Sequence, residues 1–376
     1  MKVVVAMDSF KGSLTSMEAG QSVKRGILAA EQSAEVVVSP LADGGEGTLD
    51  ALMEGMNAKR VTLTVTGPLG EPVLCCYGYL EESDTAVMEM ASAAGITLVK
   101  QKEPLRATTY GVGEMITDAL DRGCKKILIG LGGSATNDGG VGMLRALGFA
   151  FLDENGADVG DGAAALARIR TIRTENADAR LSKVIFQVAC DVKNPLFGEN
   201  GATYVYGAQK GIAENQKTYL DEAMRHYADV TAEFLHVDLS ESPGAGAAGG
   251  MGYAFLAYLH GILTPGIDRI MEITGLEDVI RTADIVVTGE GRLDGQTVMG
   301  KVPVGVAELA KKYGKHVIAF AGSVTSEAVK CNQKGIDAFF PVIRSVTTLE
   351  EAMRPEVAKE NIAAAAEQVF RLMRLK

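Results

Sequence analysis

Apolar runs and amphipathic stretches alternate over the first sixty residues. The run KVVVAM at residues 2–7 predicts a buried β-strand. The residues TSME at 15–18 fit a capping box, which predicts a helix that continues to about Ala30. A second strand-like run at 34–39 then leads through a glycine-rich turn into a helical pattern, TLDALMEGM, at 48–56. Two strand–helix repeats in succession predict a parallel sheet.

The pattern changes between residues 60 and 90. The runs RVTLTVTG, PVLCCYGYL and TAVMEMA are short and separated by turns, which predicts an antiparallel region. Strands follow at 126–131 and 183–190, and an amphipathic helix is predicted over about 213–235. The stretch SPGAGAAGGMG has the composition of a flexible linker.

Beyond that linker the chain returns to the alternation of its beginning. ADIVVTGEG, HVIAFAGS and AFFPV predict strands, and helices are expected over 303–313 and from about Leu349 to the end. A chain of 376 residues also exceeds the ~250–300 at which single cores usually divide. We therefore predict an α/β fold with two domains, a parallel-sheet domain built from residues 1–70 and 265–376 and an inserted domain with a mixed sheet at 71–264.

Composition narrows the class of partner. The chain has 48 acidic and 37 basic residues, a net charge of −11, which disfavours nucleic acid and favours a small-molecule partner. Five cysteines without a CxxC pair and four histidines outside the glycine-rich loops argue against zinc and Ser-His chemistry. Without a run of ~18 apolar residues or a signal-peptide pattern, we expect a soluble, cytoplasmic protein with no membrane partner.

Polar loops follow several of the predicted strands, where ligands bind in open α/β sheets. These loops contain Asp8, Ser9 and Lys11; Asp43; Asp191 and Lys193; and Glu290, Arg292, Asp294 and Lys301. One such loop is most often only a turn, but four of them combine an acid with glycine, and three of these also contain a lysine. Carboxylates for Mg²⁺, cations for phosphates and a carboxylate base are the requirements of phosphoryl transfer.

The loop GLGGSATNDGG offers a different interpretation. Gly130, Gly132 and Ala135 fit G-x-G-x-x-A, and Asp153 lies near the distance of a ribose-binding acid, so an NAD-dependent dehydrogenase is one alternative. Against this, Asp138 places a carboxylate beside the would-be pyrophosphate. Asp138 is interpreted either as a helix cap or as a residue that assists a metal.

The stretch GQTVMGKV at 295–302 matches G-x-x-x-x-G-K incompletely. Val302 stands where a P-loop needs Ser or Thr for Mg²⁺, so a true Walker loop is not expected. Pro303 suits the first turn of a helix. Lys301, just before that helix, is a good phosphate or carboxylate ligand.

Eight motifs in order along the chain resemble the bacterial type 1 glycerate kinases. They are MDSFKGSL, LADGGEGT, MEMASAAGI, ATTYGVGEMI, GLGGSATNDGG-GML-ALG, CDVKNPL-G-NGA, PGAGAAGG-GYA and GEGRLDGQT--GKVP-GVA. The resemblance implies a cytoplasmic enzyme that phosphorylates D-glycerate with ATP and Mg²⁺, and we expect 2-phosphoglycerate rather than 3-phosphoglycerate as its product. It also implies that the domain built from both chain ends is Rossmann-like and that the active site lies in the cleft between two α/β domains.

Physical reasoning assigns hypothetical roles to the candidates. Asp191 or Asp294 is the base, since each follows a strand and has a cation nearby in the sequence, Lys193 or Arg292. We expect the substrate to contact Asp8, Ser9, Lys11 and Arg292, and the metal to be bound by Asp43 and Glu290. The transferring phosphoryl group is expected to contact Lys193 and Lys301. The nucleotide phosphates are expected to contact Gly132, Gly133, Ser134, Thr136, Asn137 and Lys301. A non-enzymatic two-domain protein that closes on a sugar acid is a second alternative. No oligomeric state is predicted.

Overall fold

Two main β-sheets organise the chain. The computed structural model describes residues 1–41, 53 and 58–375, without the side chains of residues 269 and 273. Within the described residues, contacts between Cα atoms define two compact units, one of residues 1–41, 53 and 267–375 and one of residues 58–266. The helix predicted at 48–56 lies outside the described residues, apart from residue 53.

Thirteen strands are described. They are β1 (Lys2–Met7), β2 (Glu35–Val38), β3 (Lys59–Thr66), β4 (Pro72–Leu80), β5 (Thr85–Glu89), β6 (Lys126–Gly130), β7 (Ala150–Leu152), β8 (Thr171–Arg173), β9 (Ile185–Ala189), β10 (Ile262–Thr264), β11 (Ile285–Leu293), β12 (His316–Val324) and β13 (Ala338–Pro341).

The described α-helices are α1 (Ser16–Ala30), α2 (Ala91–Ala94), α3 (Tyr110–Asp121), α4 (Val141–Ala146), α5 (Ala202–Tyr206), α6 (Glu214–Leu235), α7 (Ala247–Leu259), α8 (Gly266–Ile273), α9 (Leu276–Arg281), α10 (Val302–Lys312), α11 (Leu349–Ala352) and α12 (Pro355–Met373). Short 3₁₀ helices occupy Glu81–Ser83, Ile96–Leu98, Ala163–Arg168, Ala179–Lys183, Ala208–Lys210, Thr297–Met299 and Ser326–Lys334. Across the described ranges, the structure contains no helix long and apolar enough to span a membrane.

The sheet of the first unit is entirely parallel, in the order β13-β12-β11-β1-β2. The first four apolar residues of β1, Val3 to Ala6, have no exposed surface, because this strand lies inside the sheet and is covered on both faces. Helix α1 begins at the predicted capping box, in which Thr15 and Glu18 exchange hydrogen bonds with each other's backbone amides. It packs closely on α12, since a Cβ added at Gly26 would lie 2.1 Å from the carbonyl oxygen of Ala363.

The last helical segment differs from the prediction. The continuous helix expected from Leu349 is two helices, α11 and α12, with a break before Pro355. Arg354 has φ −60° and ψ 127°, the extended conformation that a following proline imposes. Pro355 then opens α12, where its missing N–H has no cost.

The sheet of the second unit is mixed, in the order β10-β9-β6-β5-β4-β3. The pairs β3–β4 and β4–β5 are antiparallel, as the pattern between residues 60 and 90 predicts, and the remaining pairs are parallel. Because β3 pairs with β4 over its whole length, the change from the first unit to the second falls at residue 58 rather than at 70. The return to the first unit falls at 267.

The expected flexible linker around residue 247 is a packed segment, so that prediction is wrong. Ala248, Gly249 and Gly250 have positive φ values at the start of α7, and all three are buried. A Cβ at Gly249 would lie 2.1 Å from the carbonyl oxygen of Thr136. The glycines are therefore required here by close backbone packing and by left-handed backbone conformation.

Candidate active site

Polar side chains converge on a cavity at the carboxyl ends of β1, β11 and β12, within the first unit. The cavity has a volume of about 370 Å³. Its polar lining consists of Asp8, Ser9, Lys11, Ser13, Glu290, Arg292, Asp294, Lys301, Ser323 and Asn361. Seven of these residues were singled out from the sequence as strand-end candidates. The structure brings them together because parallel strands carry their carboxyl ends to one edge of the sheet.

Two buried carboxyl groups lie at this edge. Asp8 is 2% exposed and Glu290 is 6% exposed. The register pairs Met7 of β1 with Gly289 of β11, so Asp8 and Glu290 are the next residues on two adjacent strands. The backbone N–H of Ser9 donates a hydrogen bond of 2.7 Å to Asp8 Oδ1.

Glu290 is held by a residue that the sequence analysis missed. Thr297 is fully buried, and its hydroxyl donates a hydrogen bond of 2.5 Å to Glu290 Oε1. The same hydroxyl accepts a hydrogen bond of 3.1 Å from the amide of Asp294. Thr297 is the one hydroxyl side chain in the loop 294–301, and this was the available signal in the sequence. It fixes the Glu290 carboxylate relative to the loop that follows β11.

Three cationic side chains line the cavity. The ammonium of Lys301 lies 3.9 Å from Glu290 Oε2, and the guanidinium Nε of Arg292 lies 3.6 Å from Asp294 Oδ2. The Arg292 side chain is 65% exposed, so its fork is accessible to a ligand. Lys11 is the third. Asp294 also accepts a hydrogen bond of 2.8 Å from the amide of Gln296, which orients its carboxylate.

Lys301 is the N-cap residue of α10, and Pro303 lies in the first turn, as the sequence predicts. The first amides of this helix lack intrahelical acceptors and carry the positive end of the helix dipole. Lys301 and the helix N-terminus together favour an anion at this end of the cavity.

The donor set of this cavity fits magnesium. Mg²⁺ in kinase sites is typically bound by one or two carboxylates together with substrate phosphates. Asp8 and Glu290 supply two buried carboxylates, which matches that number. Within the part of the chain that the structure describes, there is no larger cluster, of three or more His, Cys, Asp or Glu, that could hold a metal ion. Asp43, the other metal ligand predicted from the sequence, lies outside the described residues.

Asp191 and Lys193 follow β9 in the second unit, where both are exposed. Asp191 Oδ1 accepts a hydrogen bond of 2.9 Å from the amide of Gly266. Neither residue is part of the lining of the cavity in the first unit. The structure therefore does not place them with the other predicted site residues in that lining.

In the loop GLGGSATNDGG, two glycines line a cavity and the polar side chains that follow them are buried. Gly132 and Gly133 line a second cavity, of about 630 Å³, within the second unit. Ser134 is 8% exposed, and Thr136 and Asn137 have no exposed surface. Both side chains are enclosed, and among the described residues Thr136 Oγ1 and Asn137 Oδ1 have no hydrogen-bond partner, so their contact with nucleotide phosphates stays a prediction.

Thr136 and Asn137 form hydrogen bonds to distant parts of the same unit. The carbonyl oxygen of Thr136 accepts a hydrogen bond of 2.7 Å from the ammonium of Lys210. The carboxamide of Asn137 donates a hydrogen bond of 3.1 Å to the hydroxyl of Thr203. Lys210 is 2% exposed, and burial lowers its pKa to about 7, although the nearby carboxyl of Asp138 opposes that shift.

Asp138 is buried and caps backbone amides, which favours its interpretation as a cap. Its carboxyl oxygens accept hydrogen bonds of 2.8 Å from both the amide and the hydroxyl of Thr109, and of 3.2 Å from the amides of Gly140 and Gly142. Burial raises the pKa of Asp138, and these four hydrogen bonds oppose that shift. Asp153, the acid that a ribose would need, accepts hydrogen bonds from the amides of Asn155 and Ala157 as part of a turn.

Comparison with known proteins identifies the family. Residues 3–374 match the model of the glycerate kinase family. The chain is 44% identical to a glycerate kinase of Bacillus subtilis, and the match covers 100% of this chain and 98% of the relative. It is 45% identical to glycerate 2-kinase of Escherichia coli, and that match covers 98% of this chain and 97% of the relative. A crystal structure from Salmonella typhimurium LT2, whose protein carries the provisional name glycerate kinase 2, superposes with a TM-score of 0.92 at 43% identity and covers 100% of this chain and 98% of that one. The chain therefore belongs to the glycerate kinase family, as its motifs predict, and is a kinase.

Proposed function

We propose that this protein is a cytoplasmic kinase that transfers the γ-phosphoryl group of ATP to the 2-hydroxyl of D-glycerate in a Mg²⁺-dependent reaction. The observation that carries the proposal is one cavity that combines the buried carboxyls of Asp8 and Glu290 with the cations of Lys11, Arg292 and Lys301. Family membership supports a kinase over a dehydrogenase or a sugar-acid-binding protein. The name of the Escherichia coli relative supports the 2-hydroxyl as the acceptor.

Glycerate has one carboxylate and two hydroxyls, so the site needs a cation for the first and a base for one of the others. The accessible guanidinium of Arg292 suits the carboxylate, because its fork can donate two parallel hydrogen bonds. Lys11 and Ser9 line the same cavity and add positive charge and a hydroxyl.

Asp294 is the base that we favour. Its carboxylate lines the cavity beside Arg292, within reach of a substrate held by that guanidinium. The hydroxyl oxygen attacks the γ-phosphorus in line, its proton passes to the Asp294 carboxylate, and the bond between phosphorus and the β,γ-bridging oxygen breaks to release ADP. Asp191, with Lys193 nearby in the sequence, is the alternative base.

Glu290 and Asp43 are the residues that we expect to hold Mg²⁺, and the buried carboxyl of Asp8, which the sequence assigns to the substrate, is a third candidate ligand. When bound, the ion neutralises charge on the phosphates. Lys301, at the N-terminus of α10, is suited to contact the transferring phosphoryl group. Gly132 and Gly133 remain candidates for phosphate contacts because they line a cavity of the second unit.

The test is an assay of ADP release by the purified protein with ATP, Mg²⁺ and D-glycerate, followed by phosphorus NMR of the product. We expect ADP release that depends on glycerate, and a product spectrum of 2-phosphoglycerate. A protein that releases no ADP in response to glycerate would contradict the proposal, and 3-phosphoglycerate would contradict its regiochemistry.

The same assay tests the assignment of the base. Asp294→Asn should lower kcat by about 10²–10⁴-fold, the usual contribution of a general base. Asp278→Asn is the matched control, because this carboxylate is also in the first unit and its side chain is 83% exposed. If Asp191→Asn abolishes turnover and Asp294→Asn does not, Asp191 is the base.

A further inference from the structure

Part of the lining of the cavity in the first unit is apolar and is not used by the proposed reaction; we call this part the apolar end. Phe10, Val342, Leu349 and Met353 line this end, together with the carboxamide residue Asn361. Lys11, Arg292 and Lys301 line the same cavity. The cavity therefore has an apolar part and an anion-binding part in one volume of about 370 Å³, within the range of small-molecule sites.

The apolar end is formed by the segment between β13 and α12. Val342 follows β13 directly and is 4% exposed, whereas Leu349 opens α11 and is 75% exposed. A leucine so exposed at the edge of a cavity covers little of the protein's own core. It offers apolar surface to a ligand instead.

Asn361 is the polar group of this end. It lies on α12 three residues after Ala358, which is 5% exposed and also lines the cavity, so both residues are on the same face of the helix. Among the described residues, no hydrogen bond of the protein uses the Asn361 carboxamide. A carboxamide carries both a donor and an acceptor, and both remain available to a ligand.

We propose that the apolar end binds the adenine ring of ATP, with the ring against Leu349 and Met353 and the Asn361 carboxamide hydrogen-bonded to the edge of the base. The chemistry is complementary, because an adenine edge presents an amino donor beside a ring-nitrogen acceptor, which a carboxamide pairs with in two hydrogen bonds. The phosphates then extend towards the cationic end. This inference rests on the proposed function, since it assigns the nucleotide of that reaction to a part of its cavity.

The test compares substitutions at two exposed apolar residues of the same segment. Leu349→Asp places a charge in the proposed adenine site, and Val346→Asp places the same charge at a residue that is fully exposed and does not line the cavity. Neither change should affect folding, because both side chains lie outside the core. Asn361→Ala is the second test variant, and Gln368→Ala is its control, an exposed carboxamide on the same helix.

We measure Mg·ATP binding by titration calorimetry without glycerate, and the KM values for ATP and glycerate separately. Leu349→Asp and Asn361→Ala should each weaken ATP binding by about tenfold or more, raise the KM for ATP accordingly and leave the KM for glycerate within about twofold. The two control variants should match the unmodified protein.

Equal ATP affinities for Leu349→Asp and Val346→Asp, or a rise in the KM for glycerate alone, would overturn the inference. Different outcomes contradict the proposed function and the proposed adenine site. A protein that binds ATP in a Leu349-dependent way but does not phosphorylate glycerate contradicts only the proposed function. A protein that phosphorylates glycerate with ATP affinity insensitive to both test variants contradicts only the adenine site.

Discussion

Replacing Thr297 by valine tests whether the buried Glu290 carboxylate takes part in magnesium binding. Valine has nearly the same shape as threonine, so Thr297→Val removes the hydroxyl with little change in packing. The lost interaction is a 2.5 Å hydrogen bond from a fully buried hydroxyl to a carboxylate that is 6% exposed. The ammonium of Lys301, 3.9 Å from Glu290 Oε2, is too far away to replace this hydrogen bond.

The size of the effect follows from that geometry. A hydrogen bond to a charged group contributes about 1.5–3 kcal/mol, and its loss should lower the free energy of unfolding by up to that amount. A residue that orients a metal-binding carboxylate typically changes metal affinity or activity by about 10–100-fold when it is removed. We therefore expect the Mg²⁺ concentration for half-maximal activity to rise by about tenfold or more, with a smaller change in the KM for glycerate.

The assay is the rate of ADP release against free Mg²⁺ at saturating ATP and glycerate, with urea unfolding measured in parallel. Thr297→Ser is the matched control, because it keeps the hydroxyl and should retain most of the Mg²⁺ affinity. If Thr297→Val is destabilised as expected but its Mg²⁺ dependence is unchanged, Thr297 has only a structural role and Glu290 is not a magnesium ligand.

Three further predictions concern stability. Because the pKa of Lys210 falls to about 7 on folding, the unfolded chain binds the Lys210 proton more strongly than the folded chain from about pH 7 to 10.5. The contribution of Lys210 to the free energy of unfolding should therefore rise with pH over that range, by at most about 1.4 kcal/mol per pH unit. Urea unfolding should show this rise in the unmodified protein relative to Lys210→Met. Asp138→Asn puts a donor opposite the amides that this carboxyl caps and should lower the free energy of unfolding by about 1.5–3 kcal/mol, measured against Asp153→Asn in an exposed turn. Thr15→Ala removes the cap of α1 and should cost about 1 kcal/mol in thermal unfolding, whereas Thr15→Ser should cost little.

Features that depend on neighbours in the sequence could be predicted. The capping box at Thr15, the start of α10 at Lys301 and the length of α6 follow from spacings of a few residues. The grouping of Asp8, Glu290 and Asp294 in one cavity was also predictable, because it needs only the rule that the carboxyl ends of parallel strands share an edge.

Features that depend on distant partners could not be predicted. Thr136 and Asn137 are polar residues in a glycine-rich loop, which usually indicates exposure. They are buried among partners distant in the sequence, since Lys210 and Thr203, 74 and 66 residues away, bind the Thr136 carbonyl and the Asn137 carboxamide nitrogen. The apolar end of the cavity is likewise hidden in the sequence, since Leu349 and Asn361 look like ordinary positions of an amphipathic helix until Val342 is placed beside them.

The interior place of β1, between β2 and a strand from the other end of the chain, has a consequence for synthesis. Lys2 and its partner Asp284 are 282 residues apart, so at ~5–20 residues per second a ribosome needs roughly 15–55 s between them. Throughout that time the edge of β1 that later pairs with β11 has no native partner, and an unpaired apolar edge is a template for aggregation. The nascent chain therefore carries an unpaired apolar edge at its first strand until residues 285–293 have left the ribosome.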